Sequence, residues 1–410
     1  MSIHVNQFEQ LRIEFPTWPE VKAHFESSAG LRVVEQADVA VIRYEKNAAT
    51  DPIYRSVVWD ISANLPLCVA PFRSKEGFPP ADTQLVVEDF ADGFMMNAWV
   101  SASGFRLATR TRVDGENKFY TEKTFRQLFT EALATTPLKT VDALRISLEG
   151  LRNDVNATSA FASFVVQHPD HRVVAKFASP SLFVIHTGYV TESGATHISE
   201  RPVNWPQDLS ALHVTEYPSR NFKTDAEAEE VLRRTAAQRG WRWQGLVFKD
   251  GLGSRWRLRT PTYMLLRQLR GTESTPLERF FRLRSQRQVV DYLKHYSEER
   301  DEFWKFEQTL RARTGDIMTA YTDVHKAHTC TFKKLPEALR PAVYLLHVKW
   351  RDELREKGFS VRLQNAIDVV NGLRPFEKKR LMEAAPYVAA PMPDLEAVTP
   401  VADADLTAPA

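Results

Sequence analysis

Short apolar runs separated by turn residues fill the first part of the chain, at residues 31–34, 39–44, 54–60, 67–72, 85–90, 94–100 and 105–110. They are rich in β-branched residues, which predicts an antiparallel sheet system. Helical periodicity takes over at 121–134 and 140–151, and strand-like runs return at 160–167, 172–177 and 182–190. Two capping boxes mark helix starts. Thr17-Trp18-Pro19-Glu20 opens a short helix that stops near Gly30, and Thr224-Asp225-Ala226-Glu227 opens one that ends at Gly240. Two more strands are predicted at 241–249 and 255–260, around the loop Asp250-Gly251-Leu252-Gly253.

From Pro261 to about Ala385 nearly everything carries apolar-charged helical periodicity, with breaks near Gly271, Gly315, Pro336, Gly358 and Gly372. The fold class expected is therefore α+β: an N-terminal antiparallel-sheet domain followed by an all-α C-terminal domain. The boundaries expected are a helical lead-in over 1–30, a sheet domain over 31–268, helices over 269–385, and an Ala/Pro-rich tail over 386–410 with too few large apolar residues to fold. Inside the sheet domain, Asp92-Gly93 lies between the apolar runs 85–87 and 94–100 and reads as a β-hairpin turn. The strand after it places Arg110 and Arg112 on one face, two residues apart.

Charge changes the picture unevenly. Residues 261–385 hold 24 Lys and Arg against 17 Asp and Glu, residues 1–260 hold 30 against 31, and the tail holds none against four. A basic helical module beside a near-neutral sheet module permits a nucleic-acid partner without demanding one. Two cysteines, Cys68 and Cys330, make no disulfide framework and point to a reducing, intracellular compartment. No apolar run approaches a membrane span, and the opening Met1-Ser2-Ile3-His4-Val5 is not a targeting segment.

Candidate chemistry begins with Arg255-Trp256-Arg257-Leu258-Arg259, which sets three arginines on one strand face and Trp256 and Leu258 on the other. Such a face is either a solvated edge or a phosphate site, since guanidinium forks bind phosphate oxygens bidentately. Arg110 and Arg112 have the same form, and Arg55 and Lys75 add candidate cations. His168-Pro169-Asp170-His171 looks like a metal motif but reads better as a hydrogen-bonded turn. His325, His328 and Cys330 have metal-like spacing and lack a fourth neighbour in sequence. Trp241, Trp243, Phe248 and Trp256 are either base-stacking platforms or core. The chain has no phosphate-binding P-loop, zinc-protease helix motif or nucleophile elbow.

Taken in order across residues 31–270, these pieces resemble the phage-type RNA ligase 1 family of covalent nucleotidyltransferases. Tyr54-Arg55-Ser56-Val57-Val58-Trp59-Asp60 resembles the strand whose arginine lies near the nucleotide, and 70–78, with Lys75, the segment carrying a functional lysine. Phe90-Ala91-Asp92-Gly93 sits where that family has Lys-x-Asp-Gly, and Arg110-Thr111-Arg112 falls on the Lys-x-Lys strand after it. Residues 164–174 resemble its third block. Gln244-Gly245-Leu246-Val247 and Arg257-Leu258-Arg259 resemble its Glu-Gly block and final Lys-x-Lys strand. The resemblance implies a nucleotidyltransferase domain, ATP and Mg²⁺ as cofactors, RNA ends as substrate, and nucleotide or phosphate contacts at Arg55, Lys75, Asp92, Gly93, Arg110, Arg112, Gln167, Gln244, Arg257 and Arg259. No metal ligand is assigned.

The departures bear on chemistry. The family's lysine attacks the α-phosphate of ATP, and Phe90, in the nucleophile position, has no group able to do so. The third-block glutamate falls on Val165, with Gln167 two residues on, and the Glu-Gly block reads Gln244-Gly245, so two carboxylates that would help hold Mg²⁺ are missing. Three functions follow. One is a degenerate ligase that binds nucleotide or RNA 5′-phosphate ends. Another is an active RNA ligase using a relocated lysine, from Lys75, Lys118, Lys176 and Lys249. The third is an assembly protein that docks protein partners through its C-terminal helices, with an amphipathic stretch over 339–357 as the docking face.

Overall fold

The computed structural model describes residues 2–45, 48–80 and 83–389. The chain forms two compact units, Met1–Ser274 and Thr275–Ala410. From residue 390 onward the expected disordered tail lies outside the described residues.

In the first unit the strands are, in chain order, β1 (Ser2–Val5), β2 (Leu31–Gln36), β3 (Val39–Tyr44), β4 (Val57–Asp60), β5 (Leu65–Val69), β6 (Lys75–Glu76), β7 (Val86–Asp89) and β8 (Phe94–Ser101), followed by β9 (Gly104–Ala108), β10 (Ser159–Gln167), β11 (Ser181–Val190), β12 (Thr196–Ser199), β13 (Glu216–Tyr217), β14 (Gly245–Lys249) and β15 (Arg255–Arg259). They build three sheets: β1-β12-β11-β10-β8-β9, β13-β7-β14-β15-β6 and β2-β3-β4-β5. The helices are α1 (Gln7–Glu14), α2 (Trp18–Ser27), α3 (Phe125–Ala134), α4 (Val141–Asp154), α5 (Gln207–Ser210), α6 (Asp225–Arg239) and α7 (Pro261–Arg270).

Side-chain alternation decides the layers. On β8, Met96, Ala98 and Val100 join Phe129 and Leu133 of α3 and Leu144 and Leu148 of α4 in one core, while Trp99 faces a second core with β3, β4 and β5. The six-stranded sheet is therefore covered on both faces, and β8 and β10 read as near-continuous buried runs. In the five-stranded sheet, Val87, Leu246, Phe248 and Trp256 turn towards Ala228, Val231 and Leu232 of α6. Both capping boxes form. Glu20 accepts from the Thr17 N–H at 3.0 Å, and Glu227 from the Thr224 N–H at 3.0 Å.

Four expectations are corrected. The hairpin over 85–100 does not exist, because β7 pairs with β13 and β14 while β8 pairs with β9 and β10, in a different sheet. Residues 90–93 are instead a crossover between sheets, pinned where the Asp92 carboxylate accepts from the Val174 and Ala175 N–H groups and from the Tyr263 hydroxyl. The strand expected over 105–110 stops at Ala108, since Thr109 bonds the backbone of Arg112 in both directions and closes a turn. Residues 172–177 form no strand. The 1–30 segment is more than a lead-in: β1 pairs with β12, and α1 buries Phe8 and Leu11. The sheets are antiparallel except for one pairing, β6 with β15, which is parallel.

In the second unit the described elements are helical: α8 (Pro276–Ser285), α9 (Val289–His295), α10 (Arg300–His325), α11 (Arg340–Lys349), α12 (Leu363–Gly372) and α13 (Pro375–Glu383). Among the described residues no helix is long and apolar enough to cross a membrane.

Candidate functional site

The polar face of the five-stranded sheet, opposite α6, carries two different charge groupings. Register explains both. Lys249 stands directly opposite Arg255, and Glu88 stands opposite Val247, two residues from Lys249 on the same face. Two cations directly opposite one another repel. Glu200, just beyond β12, offsets this by accepting from Arg255 while lying 3.1 Å from the Lys249 ammonium. Lys249 also donates to Glu88 at 2.7 Å and to the Ile185 carbonyl at 3.4 Å, so one ammonium ties the five-stranded sheet to the six-stranded one. His213 contacts Glu88 at 3.0 Å, and His186 lies 3.7 Å from Glu200 and 3.0 Å from the Ser163 hydroxyl. Burial works to raise both carboxyls, but Lys249 with His213 holds Glu88 below its ordinary value, and Arg255 with Lys249 holds Glu200 well below. The four charged groups Lys249, Arg255, Glu88 and Glu200 form a buried quartet.

Further along the same face, β15 presents Arg257 and Arg259. The Arg257 Nε donates to Glu76 at 2.7 Å and its Nη1 to the Ser74 hydroxyl at 3.1 Å, while Arg259 donates to the same Glu76 at 2.6 Å. Glu76 is itself 55% exposed, so one solvated carboxylate serves two guanidinium groups. Phe90 continues the β7–β14 ladder, its N–H donating to the Gly245 carbonyl at 2.9 Å, and Gly245 stands opposite Arg259. Gly245 has φ +141°, and a Cβ there would lie 1.9 Å from the Leu258 oxygen. With no side chain between them, the Arg259 guanidinium lies 5.0 Å from the centroid of the Phe90 ring. Burial together with Arg257 and Arg267 lowers Arg259 to about 10.

More arginines extend the field. Burial, with Arg255, Arg110 and Arg257 close by, lowers Arg55 to about 10. The guanidinium groups of Arg110 and Arg73 lie 5.1 Å and 4.5 Å from the centroid of the Tyr44 ring. Burial and Arg110 also lower Arg43. Arg55 is repelled by Arg110 and Arg257, and Arg259 by Arg257, and an entering anion would relieve that repulsion.

The residues singled out from sequence divide accordingly. Arg55, Arg110, Arg257 and Arg259 come together. Lys75 is exposed, next to Glu76, with its ammonium 5.9 Å from the centroid of the Trp256 ring. Arg112 is exposed at the turn after β9 and does not share a strand face with Arg110. Asp92 is 5% exposed and fully engaged by two backbone N–H groups and Tyr263. It is an architectural clamp, not a phosphate contact. Gly93 has φ +150°, and a Cβ there would lie 2.2 Å from the Val166 oxygen, so it is needed for packing. Gln167 closes β10 opposite Ser181, and Gln244 is buried with its carbonyl accepting from Thr260. Arg255 belongs to the buried quartet, although it lies close to Arg55.

Of the lysines considered as nucleophiles, Lys249 is 1% exposed and held by two carboxylates, which keeps it out of reach of an entering phosphate. Lys118 and Lys176 are exposed, and Lys118 pairs with Glu122. Mg²⁺ does not fit the carboxylates here. Glu76 is taken by two arginines, Asp92 by N–H donors and Tyr263, and Asp89 by Tyr217, Trp243 and Arg239. Glu88 and Glu200 are neutralised in the quartet. What this face presents is guanidinium groups, with the exposed Lys75 ammonium beside them.

The metal-like motifs resolve into other structures. Glu131, His168 and Asp170 do present ligand atoms within 4.8 Å of one another. The Lys123 ammonium sits between the two carboxylates, at 2.8 Å from Glu131 and 2.9 Å from Asp170, so their charge is already met. His171 is 4% exposed against Phe94, Phe125 and Tyr120, and burial, with Arg270 and His168, lowers it to about 4. His325 stacks on His347 with centroids 4.0 Å apart and planes 11° from parallel, and among the described residues His325, His328 and Cys330 do not form a group of convergent ligand atoms. Trp243, Phe248 and Trp256 are buried in the core under α6, while Trp241 lies between Arg172 and Arg242.

Sequence reasoning missed Tyr44, Arg43, Arg73 and Glu76 around the arginines, and missed Glu88 and Glu200 in the quartet. For Glu88 a signal exists: a carboxylate directly after the apolar run Leu85-Val86-Val87, on the same strand, is costly to bury unless paired.

No family model matches the chain, and no curated protein matches it. Among solved structures it is similar to form 1 of an archaeal ATP-dependent RNA ligase, at 13% identity over 70% of this chain and 80% of that one, with a TM-score of 0.35. Form 2 of an archaeal ATP-dependent RNA ligase gives 14% identity over 67% of each chain and 0.33. An Aquifex aeolicus structure described as an ATP-dependent DNA ligase gives 12% identity over 86% of each chain and 0.36. These are likenesses of backbone architecture, and none assigns a residue of this chain.

Proposed function

We propose that the first unit is a phosphate-recognition module of nucleotidyltransferase type, which holds a nucleotide or the 5′-phosphate end of an RNA strand and forms no lysyl-AMP intermediate. One observation carries this: Arg257 and Arg259 share a single exposed carboxylate, Glu76, beside Arg55, while the ring of Phe90 lies under Arg259 where an attacking amine would be needed. The cations supply affinity for phosphate oxygens. The aromatic ring steadies a guanidinium and cannot form a phosphoramide. The choice of RNA ends over other phosphates follows the ordered resemblance of the blocks around Arg55, Phe90 and Arg257.

The test has two arms. Protein incubated with α-labelled ATP and Mg²⁺ or Mn²⁺ should carry no label after denaturation. A stable, acid-labile adduct would overturn the proposal, and an adduct mapping to Lys75 would replace it with a ligase using a relocated lysine. Titration with 5′-phosphorylated single-stranded RNA should give salt-sensitive binding, weakened at least tenfold by Arg257→Ala and absent for the same strand with a 5′-hydroxyl.

A further inference from the structure

Helices α8, α9, α10, α12 and α13 of the second unit line an open cleft that none of the chemistry above uses. Its larger part, about 500 Å³, has a wall of Phe280, Val289, Val290, Leu293 and Phe303, with Trp304 at its edge. That volume is in the range, about 300–1,000 Å³, that small-molecule sites occupy. Val290 is 70% exposed and Trp304 62% exposed, an unusual state for two large apolar side chains on one opening. A smaller part, about 220 Å³, shares Arg284, Arg287 and Asn371 with the first, so the two are continuous.

The smaller part is where the charge lies. Arg284, Arg287 and Lys378 line it, and no carboxylate does. Lys378 is only 9% exposed, and the partner of its ammonium is the Asn371 carbonyl, at 2.7 Å. Arg284 reaches Glu307 at 2.9 Å and also the Asn371 side chain. Glu307 is shared in turn with Arg311 at 2.9 Å, so its single charge does not balance the group. Burial and the nearby Arg284 both lower Lys378, the response of a cation that lacks an anion. Among the described residues this buried ammonium is held by a carbonyl, which is costly, and an entering anion removes that cost.

We propose that this cavity binds an amphiphilic organic anion, its carboxylate or phosphate on Lys378, Arg284 and Arg287 and its apolar body along Phe280, Leu293 and Phe303. The body is hydrocarbon and not a nucleobase, because apart from Arg300 the polar side chains of the larger part, Arg284, Arg287, Asn371 and Glu307, belong to the charged end or pair with it, and the remaining wall is apolar. The site is independent of the arginine face in the first unit.

The probe is sodium decanoate below its micellar range, titrated calorimetrically into the full chain, with adenosine monophosphate and inorganic phosphate as parallel arms. Saturable one-to-one decanoate binding is expected, with adenosine monophosphate and phosphate at least tenfold weaker. Lys378→Met, which keeps the side-chain volume, should weaken decanoate at least tenfold. Val290→Asp, at an exposed position that tolerates substitution, should do the same without touching the cationic end. Arg257→Ala should leave decanoate binding unchanged, which separates this site from the phosphate module. No saturable decanoate binding overturns the proposal, as does binding that survives both Lys378→Met and Val290→Asp. Equal affinity for adenosine monophosphate overturns the hydrocarbon assignment.

Discussion

Arg259 reaches Phe90 across a glycine. In the sheet, Gly245 stands between them, and the guanidinium lies 5.0 Å from the ring centroid. The pair places a cation at the sheet surface and fills the position below it with a ring that has no lone pair to donate.

Phe90→Leu removes the ring and keeps apolar bulk. The contact is partly desolvated, and such cation–π contacts contribute about 0.5–2 kcal/mol. Affinity for 5′-phosphorylated RNA should fall roughly two- to thirtyfold, measured by fluorescence anisotropy at fixed salt.

Phe90→Lys should not convert the protein into an adenylating enzyme. Val165 and Gln244 stand where the resembling family has carboxylates, and Glu76, Asp92 and Asp89 are already committed. Radiolabel from ATP should stay at background on the denatured variant, and a robust adduct would show that those carboxylates are dispensable.

Lys249→Met leaves Glu88 and Glu200 buried with one fewer cation, a loss of about 3–5 kcal/mol for a broken buried pair. Adding Glu88→Gln should recover at least half of it, because Glu200 keeps Arg255 and residue 88 can still bond His213. Urea unfolding of the two variants beside the parent checks both steps.

His171 makes stability depend on pH. Its folded value of about 4 lies below the ordinary histidine value, so between about 6.5 and 4 the unfolded chain binds more protons than the folded one. The contribution is fully present above pH 6.5 and is lost as pH falls towards 4, by up to about 3 kcal/mol. His171→Leu removes this dependence. Relative to the parent, the variant should become more stable between pH 7 and pH 4.5, and a constant difference across that range would show that His171 does not titrate as stated.

The sheet-rich and helical parts, both capping boxes, and the alternation that separates Arg257 and Arg259 from Trp256 and Leu258 were legible in the sequence because each depends on neighbours within a few residues. The hairpin at Asp92-Gly93 was misread for the same reason. An Asp-Gly pair between apolar runs satisfies the local rule for a turn, but whether β7 pairs with β8 or with β14 depends on strands more than 150 residues away. The end of β9 was lost through Thr109, whose side-chain bond to the Arg112 backbone outcompetes continuation of the ladder.

By itself the sequence determined the residue types: under the family resemblance, a phenylalanine at the position of the attacking lysine, arginines at the cationic positions, and glutamine and valine at the carboxylate positions. Tertiary structure alone decided which charges are spent and which remain open. Arg255, Arg257 and Arg259 are equivalent by alternation on β15, yet Arg255 is buried against Glu200 while the other two share the solvated Glu76. Burial and partner distance set the worth of a charge, and both come from strands that the chain brings together only on folding.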